Sequence, residues 1–89
     1  MMTRVVNINS ESYDVYIGRG SKWGNPYRIG IDGTRDEVIA KFRRYIMNHM
    51  SLMNSLYELE GKVLGCHCKP EACHGDVLVS LLDDLSTFI

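Results

Sequence analysis

No apolar run in this chain approaches the ~20 residues that a membrane-spanning helix needs, and its amino-terminal stretch lacks the long apolar core of a secretory signal. These two absences predict a cytoplasmic protein with no membrane contact and with its thiols reduced. Basic charge is not in excess either. Ten Lys and Arg stand against eleven Asp and Glu, a formal net charge of −1, which excludes a general nucleic-acid binder held by a basic surface. Cysteine is scarce and confined: all three cysteines lie within residues 66–73, so the spread, even-numbered framework of a disulfide scaffold is missing. There is no repeat, low-complexity segment or linker. Eighty-nine residues, 45% hydrophobic and 24% charged, suit one small domain over residues 1–89. A core of that size is modest and is often supplemented by a metal or a subunit contact.

What is present reads as an α/β pattern. Arg4 to Ile8 and Tyr13 to Ile17 are strand-like, with turn residues Asn9 to Ser12 between them, and an antiparallel hairpin is expected there. Gly18 to Gly33 is irregular, holds five glycines and Pro26, and is long for so small a domain, a feature often functional. Thr34-Arg35-Asp36-Glu37 has the form of a capping box. Val38, Ile39, Phe42, Tyr45 and Ile46 then recur at helical spacing. Ser51 is placed as the cap of a second short helix bearing Leu52, Met53, Leu56 and Leu59, with Gly61 closing it. Lys62 to Cys68 reads as a strand buried on both faces. A last helix, beginning near Glu71 or Gly75, runs to Leu85. The expected fold is a small Rossmann-like α/β sandwich of order β-β-α-α-β-α with a short mixed sheet. A crossover from the second strand through the helices to the third brings the Gly18–Gly33 loop beside the Cys68–His74 loop.

The chemistry gathers in Gly65-Cys66-His67-Cys68-Lys69-Pro70-Glu71-Ala72-Cys73-His74-Gly75-Asp76, at a strand-to-helix junction where α/β proteins place ligands. Cys66, Cys68, Cys73 and His74 are four conceivable zinc ligands. Strand alternation puts Cys66 and Cys68 on one face and His67 on the other. The spacing is not the usual knuckle, however, and no second cluster supplies the other half of a structural site, so no metal or other cofactor is expected. Thiol catalysis would use Cys73 at a helix start with His74 beside it, although side chains adjacent in sequence diverge. The preferred reading is an anion pocket. Lys69, His74 and the last helix's N-terminus would face Arg19, Ser21 and Lys22 of the glycine-rich loop. Trp23 or Tyr27 would stack on a base, and Asn25, Asp76 and Cys68 would complete the pocket. Each has a plainer alternative: Trp23 as a lid on the core, Asn25-Pro26 as a turn, Asp76 as a helix-start acid.

Two stretches carry a family likeness: Val15-Tyr16-Ile17-Gly18-Arg19-Gly20-Ser21-Lys22-Trp23-Gly24-Asn25-Pro26, and Cys66 through Leu78 after Gly61-Lys62. With them the chain resembles the uncharacterised domain-of-unknown-function family 4326 of phages and bacteria over roughly residues 4–85. One departure is His67, where an aromatic such as Trp is expected. The resemblance implies a small α/β domain and brings no known activity.

The expectation drawn from pocket chemistry is a binding module for a phosphorylated nucleotide, of the ADP-ribose or cyclic-nucleotide kind. The phage distribution of the resembled family adds capture of a host antiviral signal, in the host cytoplasm. An enzyme on the same ligand class, a hydrolase or glycosyl-transferring one, would use His74 or Asp76 as acid/base and Cys73 as nucleophile. A structural zinc domain for protein interaction is the third alternative. A homo-oligomer is expected, with Phe88-Ile89 as a candidate contact.

Overall fold

A computed structural model describes residues 2–86; the Phe88-Ile89 pair lies outside the described residues. Three strands, β1 (Arg4–Asn7), β2 (Val15–Tyr16) and β3 (Val63–Cys66), form one sheet. Helices α1 (Arg35–Met47) and α2 (Met50–Ser55) separate β2 from β3, α2 continuing into a 3-10 turn over Leu56–Leu59, and α3 (His74–Ser86) follows β3. The small α/β fold expected from the sequence is the fold observed.

The strand pairing differs from the expected hairpin. The sheet order is β1-β3-β2 and both pairings are parallel, with Val5 opposite Leu64, Val15 opposite Leu64 and Tyr16 opposite Gly65. The sheet among the described residues is therefore parallel, not mixed. The reason lies at Gly65. The chain turns directly after β1, where Ser10 N–H and Glu11 N–H both donate to Asn7 O at 3.1 and 3.2 Å, and then passes across the sheet. A Cβ at Gly65 would stand 2.6 Å from Tyr13 Cγ and 2.8 Å from Ile8 Cγ2, so the missing side chain leaves the room through which the chain crosses to the far side of β3. The apolar β3 takes the central position, with neighbours on both edges, as its unbroken apolar run implies.

Thr34 caps α1 as its sequence predicts. Its hydroxyl accepts from Glu37 N–H while Glu37 Oε1 accepts from Thr34 N–H at 2.9 Å. That reciprocal bond to the backbone, before all else, holds the Glu37 carboxyl below its ordinary value. Val38, Phe42 and Ile46 are the buried stripe of α1, with Ile39 and Tyr45 packed against the core beside them. The cap of α2 is His49 rather than Ser51, and no side chain bonds its N-terminus. Ser51 Oγ instead meets His49 Nδ1 at 3.2 Å.

Leu64 and Cys66, two residues apart on β3, face the core with Ile17. Leu56, Leu59, Val77, Leu78, Leu81 and Leu82 complete it with the α1 stripe. The first turn of α3 lies directly on the sheet, for a Cβ at Gly75 would be 2.7 Å from Ile17 Cδ1. Of the three methionines near α2, Met47 and Met50 are exposed and Met53 is partly buried. Among the described residues no helix is long and apolar enough to cross a membrane.

Candidate functional site

In a parallel sheet, the segments that leave the carboxyl ends of neighbouring strands emerge on one edge. Here the glycine-rich loop leaves β2 and the cysteine-rich loop leaves β3, and the two meet as the topology predicts. Between them and the start of α1 lies a cleft of about 140 Å³. The first loop contributes Gly18, Arg19, Asn25, Tyr27 and Ile29; α1 contributes Arg35, Val38 and Ile39. Cys66, His67, Cys68, Ala72, Cys73 and His74 form the other side. A second, more open depression of about 280 Å³ involves Arg19, Ser21, Asn25 and Arg28, so the two hollows share Arg19 and Asn25. A cavity of the first size holds roughly one six-membered ring.

The loop between Gly18 and Gly24 is folded on itself. Ser21 Oγ donates to Gly18 O at 2.7 Å, and Gly24 N–H donates to Ser21 O at 3.1 Å. Asn25 is committed to the loop's shape: Nδ2 donates to Val38 O at 3.1 Å and Oδ1 accepts from Tyr27 N–H at 2.9 Å. This turn presents Tyr27, half-buried, as the large ring beside the cleft. Trp23 does not share that place. It is 3% exposed within the hydrophobic core, the plainer of its two readings. Lys22 turns the other way as well, bonding Glu58 at 2.8 Å and lying 5.2 Å over the Trp23 ring. Neither lines the cleft.

The start of α3 is capped from within. Cys73 is the residue before the helix; its Sγ accepts from Gly75 N–H at 3.3 Å, and its own N–H donates to Asp76 Oδ2 at 3.1 Å. The Asp76 carboxylate also holds Lys69 Nζ at 2.6 Å. Partial burial opposes the charge of Lys69, but the Asp76 bond outweighs it and its pKa is raised. The donors and charge expected to receive a phosphate at this helix start are thus partly occupied by the protein's own groups, and Lys69 lines neither hollow.

His74 is buried. Its Nε2 lies 2.7 Å from Ile17 O, and its ring meets Phe42 edge-on at 5.0 Å. Burial depresses its pKa, partly offset by the bond to Ile17, so the ring is neutral at neutral pH. The nitrogen near the carbonyl is then the protonated one. Cys73 is equally enclosed: burial first, then the Cys66 contact, pushes its thiol up to about 12. The three groups expected to do catalysis, His74, Asp76 and Cys73, are all engaged in holding loop and helix together.

Cys66 and Cys73 place their sulfurs 3.3 Å apart, both buried, while Cys68 is half-buried in the cleft lining. Among the described residues no three His, Cys, Asp or Glu side chains are grouped to hold a metal ion. Because β3 ends at Cys66, strand alternation does not carry on, and Cys66, His67 and Cys68 all line the cleft.

Three residues join the site that sequence reasoning missed. Arg35, the first residue of α1, lines the cleft and donates from Nη1 to Ala72 O at 3.0 Å. Its signal was present, since the capping box fixes the helix start at the end of the glycine-rich loop. His67 lines the cleft and pairs with Tyr16, whose hydroxyl is 3.3 Å from His67 Nε2. Arg28 borders the second hollow.

The chain belongs to the DUF4326 family, a domain of unknown function, whose model matches residues 2–84. It is 36% identical to an uncharacterised 12.4 kDa protein of the nrdA-td intergenic region of Enterobacteria phage T4, over 94% of this chain and 81% of the relative. It is 34% identical to an uncharacterised protein of Acanthamoeba polyphaga mimivirus, over 80% of this chain and 68% of that relative. No solved structure matches the chain.

Proposed function

We propose that this DUF4326 member binds a phosphorylated nucleotide at the meeting of its two loops. The observation that carries the reading is the junction of two unlike hollows at Arg19. One is a ring-sized cleft with apolar walls from Val38, Ile39 and Tyr27; the other is an open depression beside Arg28 and Ser21. A base or similar ring fits the first, and Tyr27 offers it an aromatic face or edge. The phosphates then fall outside, where Arg19 and Arg28 supply forked, permanently charged donors suited to phosphate oxygens, while Arg35 adds a third from the cleft lining. Arg19 keeps the part expected of it and is joined by Arg28 and Arg35 in place of Lys22 and Lys69; of the two candidate stacking rings, Tyr27 and not Trp23 borders the cleft.

The viral relatives support a role in which such a protein holds a host nucleotide signal inside an infected cell. Turnover of the ligand is the second reading. It is favoured by the Tyr16–His67 pair beside the cleft, which has titratable groups less enclosed than His74 or Cys73.

Thermal unfolding with ADP-ribose, 3′,5′-cyclic AMP and inorganic phosphate tests the proposal. A ligand at a hundredfold excess over its Kd stabilises the folded state by about 2.7 kcal/mol. A nucleotide is expected to raise Tm where phosphate alone does not, and Arg19→Ala is expected to cut the shift to about half or less at the same ligand concentration. No shift with any of the three, together with no nucleotide released on denaturing the freshly purified protein, would sink the assignment. Release of a chemically altered nucleotide, lost in His67→Ala, would establish the second reading.

A further inference from the structure

We propose that Cys66 and Cys73 are a redox modification site, closing to an intramolecular disulfide when a hydroperoxide enters the cleft. The two sulfurs are 3.3 Å apart and both thiols are free. A disulfide bond needs about 2.05 Å, so closure asks for a relative shift of only about 1 Å. The two cysteines are seven residues apart in the chain and come from different elements, Cys66 ending β3 and Cys73 preceding α3. Both cysteines line the cleft, and that opening suits an oxidant of small size.

The chemistry balances with hydrogen peroxide, the simplest hydroperoxide, as the electron acceptor. The Cys66 sulfur attacks the peroxide oxygen, the O–O bond breaks, and water leaves, giving a sulfenic acid. The Cys73 sulfur then displaces the hydroxyl as a second water, and the S–S bond forms. Two thiols have lost two electrons and two protons; one peroxide has become two waters. Cys73 takes the second step from 3.3 Å away, its thiol proton leaving with the hydroxyl as water. A dithiol reductant reverses the closure by exchange.

The bond would matter to the cleft. Cys73 Sγ is also the acceptor for Gly75 N–H, and the next residue, His74, holds Ile17. A disulfide fixes the β3–α3 junction at the point where it forms the cleft floor. The inference rests on the sulfur geometry and stands whether or not the cleft takes a nucleotide.

The test is hydrogen peroxide treatment of the full chain and of Cys68→Ser, followed by alkylation of free thiols and mass analysis before and after cleavage at Glu71. Expected is a loss of two hydrogen masses with Cys68 alone alkylated in the wild type. The fragments on either side of Glu71 should stay joined through Cys66 and Cys73, in both proteins, until a dithiol is added. A bond through Cys68, a link between two chains, over-oxidised cysteines without a link, or three alkylated thiols would each overturn the proposal.

Discussion

His74 Nε2 and the carbonyl oxygen of Ile17 lie 2.7 Å apart, and this one bond joins the start of α3 to the end of β2. It spans 57 residues of sequence and lies inside the protein. The same histidine borders the cleft. Its imidazole is therefore a strut between the two loops that form the site, and its neutral, buried state suits that task better than proton transfer.

His74→Ala removes the donor, strands the Ile17 carbonyl and leaves a gap against Phe42. A loss of about 2–4 kcal/mol is expected from an unpaired buried acceptor plus a cavity. Urea unfolding measures it, and His74→Gln, which keeps a donor, should recover part of the loss. An unchanged midpoint for His74→Ala would contradict the strut.

The same residue sets a pH dependence. Its folded pKa lies below the ordinary value of 6.5, so below pH 6.5 the unfolded chain binds the proton first. More protons on the unfolded state means stability falls as pH falls. The contribution is complete above pH 6.5 and is lost progressively below it, down to the folded pKa. Wild-type stability should therefore fall more steeply than that of His74→Gln as pH drops through this window.

Gly65→Ala tests why the sheet is parallel. The added methyl would stand 2.6 Å from Tyr13 Cγ, and the crossing chain would have to shift. Overpacking of this kind costs about 1–3 kcal/mol. Chemical denaturation should show it, and Tyr13→Ala in the same chain should relieve most of the cost by emptying the space the methyl needs.

Ligand binding should divide the basic residues by location. Arg35→Ala and Arg19→Ala touch the cleft, and each is expected to weaken nucleotide affinity by about tenfold or more, as for a charge-assisted contact of roughly 1.5–3 kcal/mol. Lys22→Ala removes an exposed pair with Glu58 and should leave affinity within about twofold, since exposed ion pairs contribute little. Calorimetric titration distinguishes the two classes. Equal losses in all three would point to a diffuse electrostatic effect in place of a defined pocket.

Brief iodoacetamide treatment of the reduced protein should label Cys68 first. Cys68 is half-buried in the cleft, while Cys66 and Cys73 are 1% and 2% exposed. The thiolate is the species that reacts, and the Cys73 thiol, pushed to about 12 by burial, yields little of it at neutral pH. Peptide mapping over time would show the order; prior labelling of Cys73 would contradict it.

Local chemistry made much of this protein legible from its residues. The Thr34–Glu37 box, the α1 stripe from Val38 to Ile46 and the left-handed Gly61 at φ 73° each depend on neighbours within a few positions. The approach of the two loops was legible as well, because it follows from the order of elements and the direction of parallel strands. The parallel pairing of β2 with β3 followed from the crossover, but the partnership of β1 did not. The turn residues Asn9 to Ser12 suit a hairpin, but the chain leaving the turn crosses the sheet through the space over Gly65, a residue far off in the sequence. Side-chain roles at the site were equally non-local. Trp23 and Tyr27 look alike to a sequence reader, but one fills the core and the other borders the cleft, because the Asn25 bonds to Val38 O and Tyr27 N–H fix how the loop turns. Residue pattern and element order were enough to specify which elements form and which two loops share an edge. Which groups are spent on holding those loops, and which remain for a ligand, was decided by long-range packing, where burial and partner geometry set the availability of every polar group.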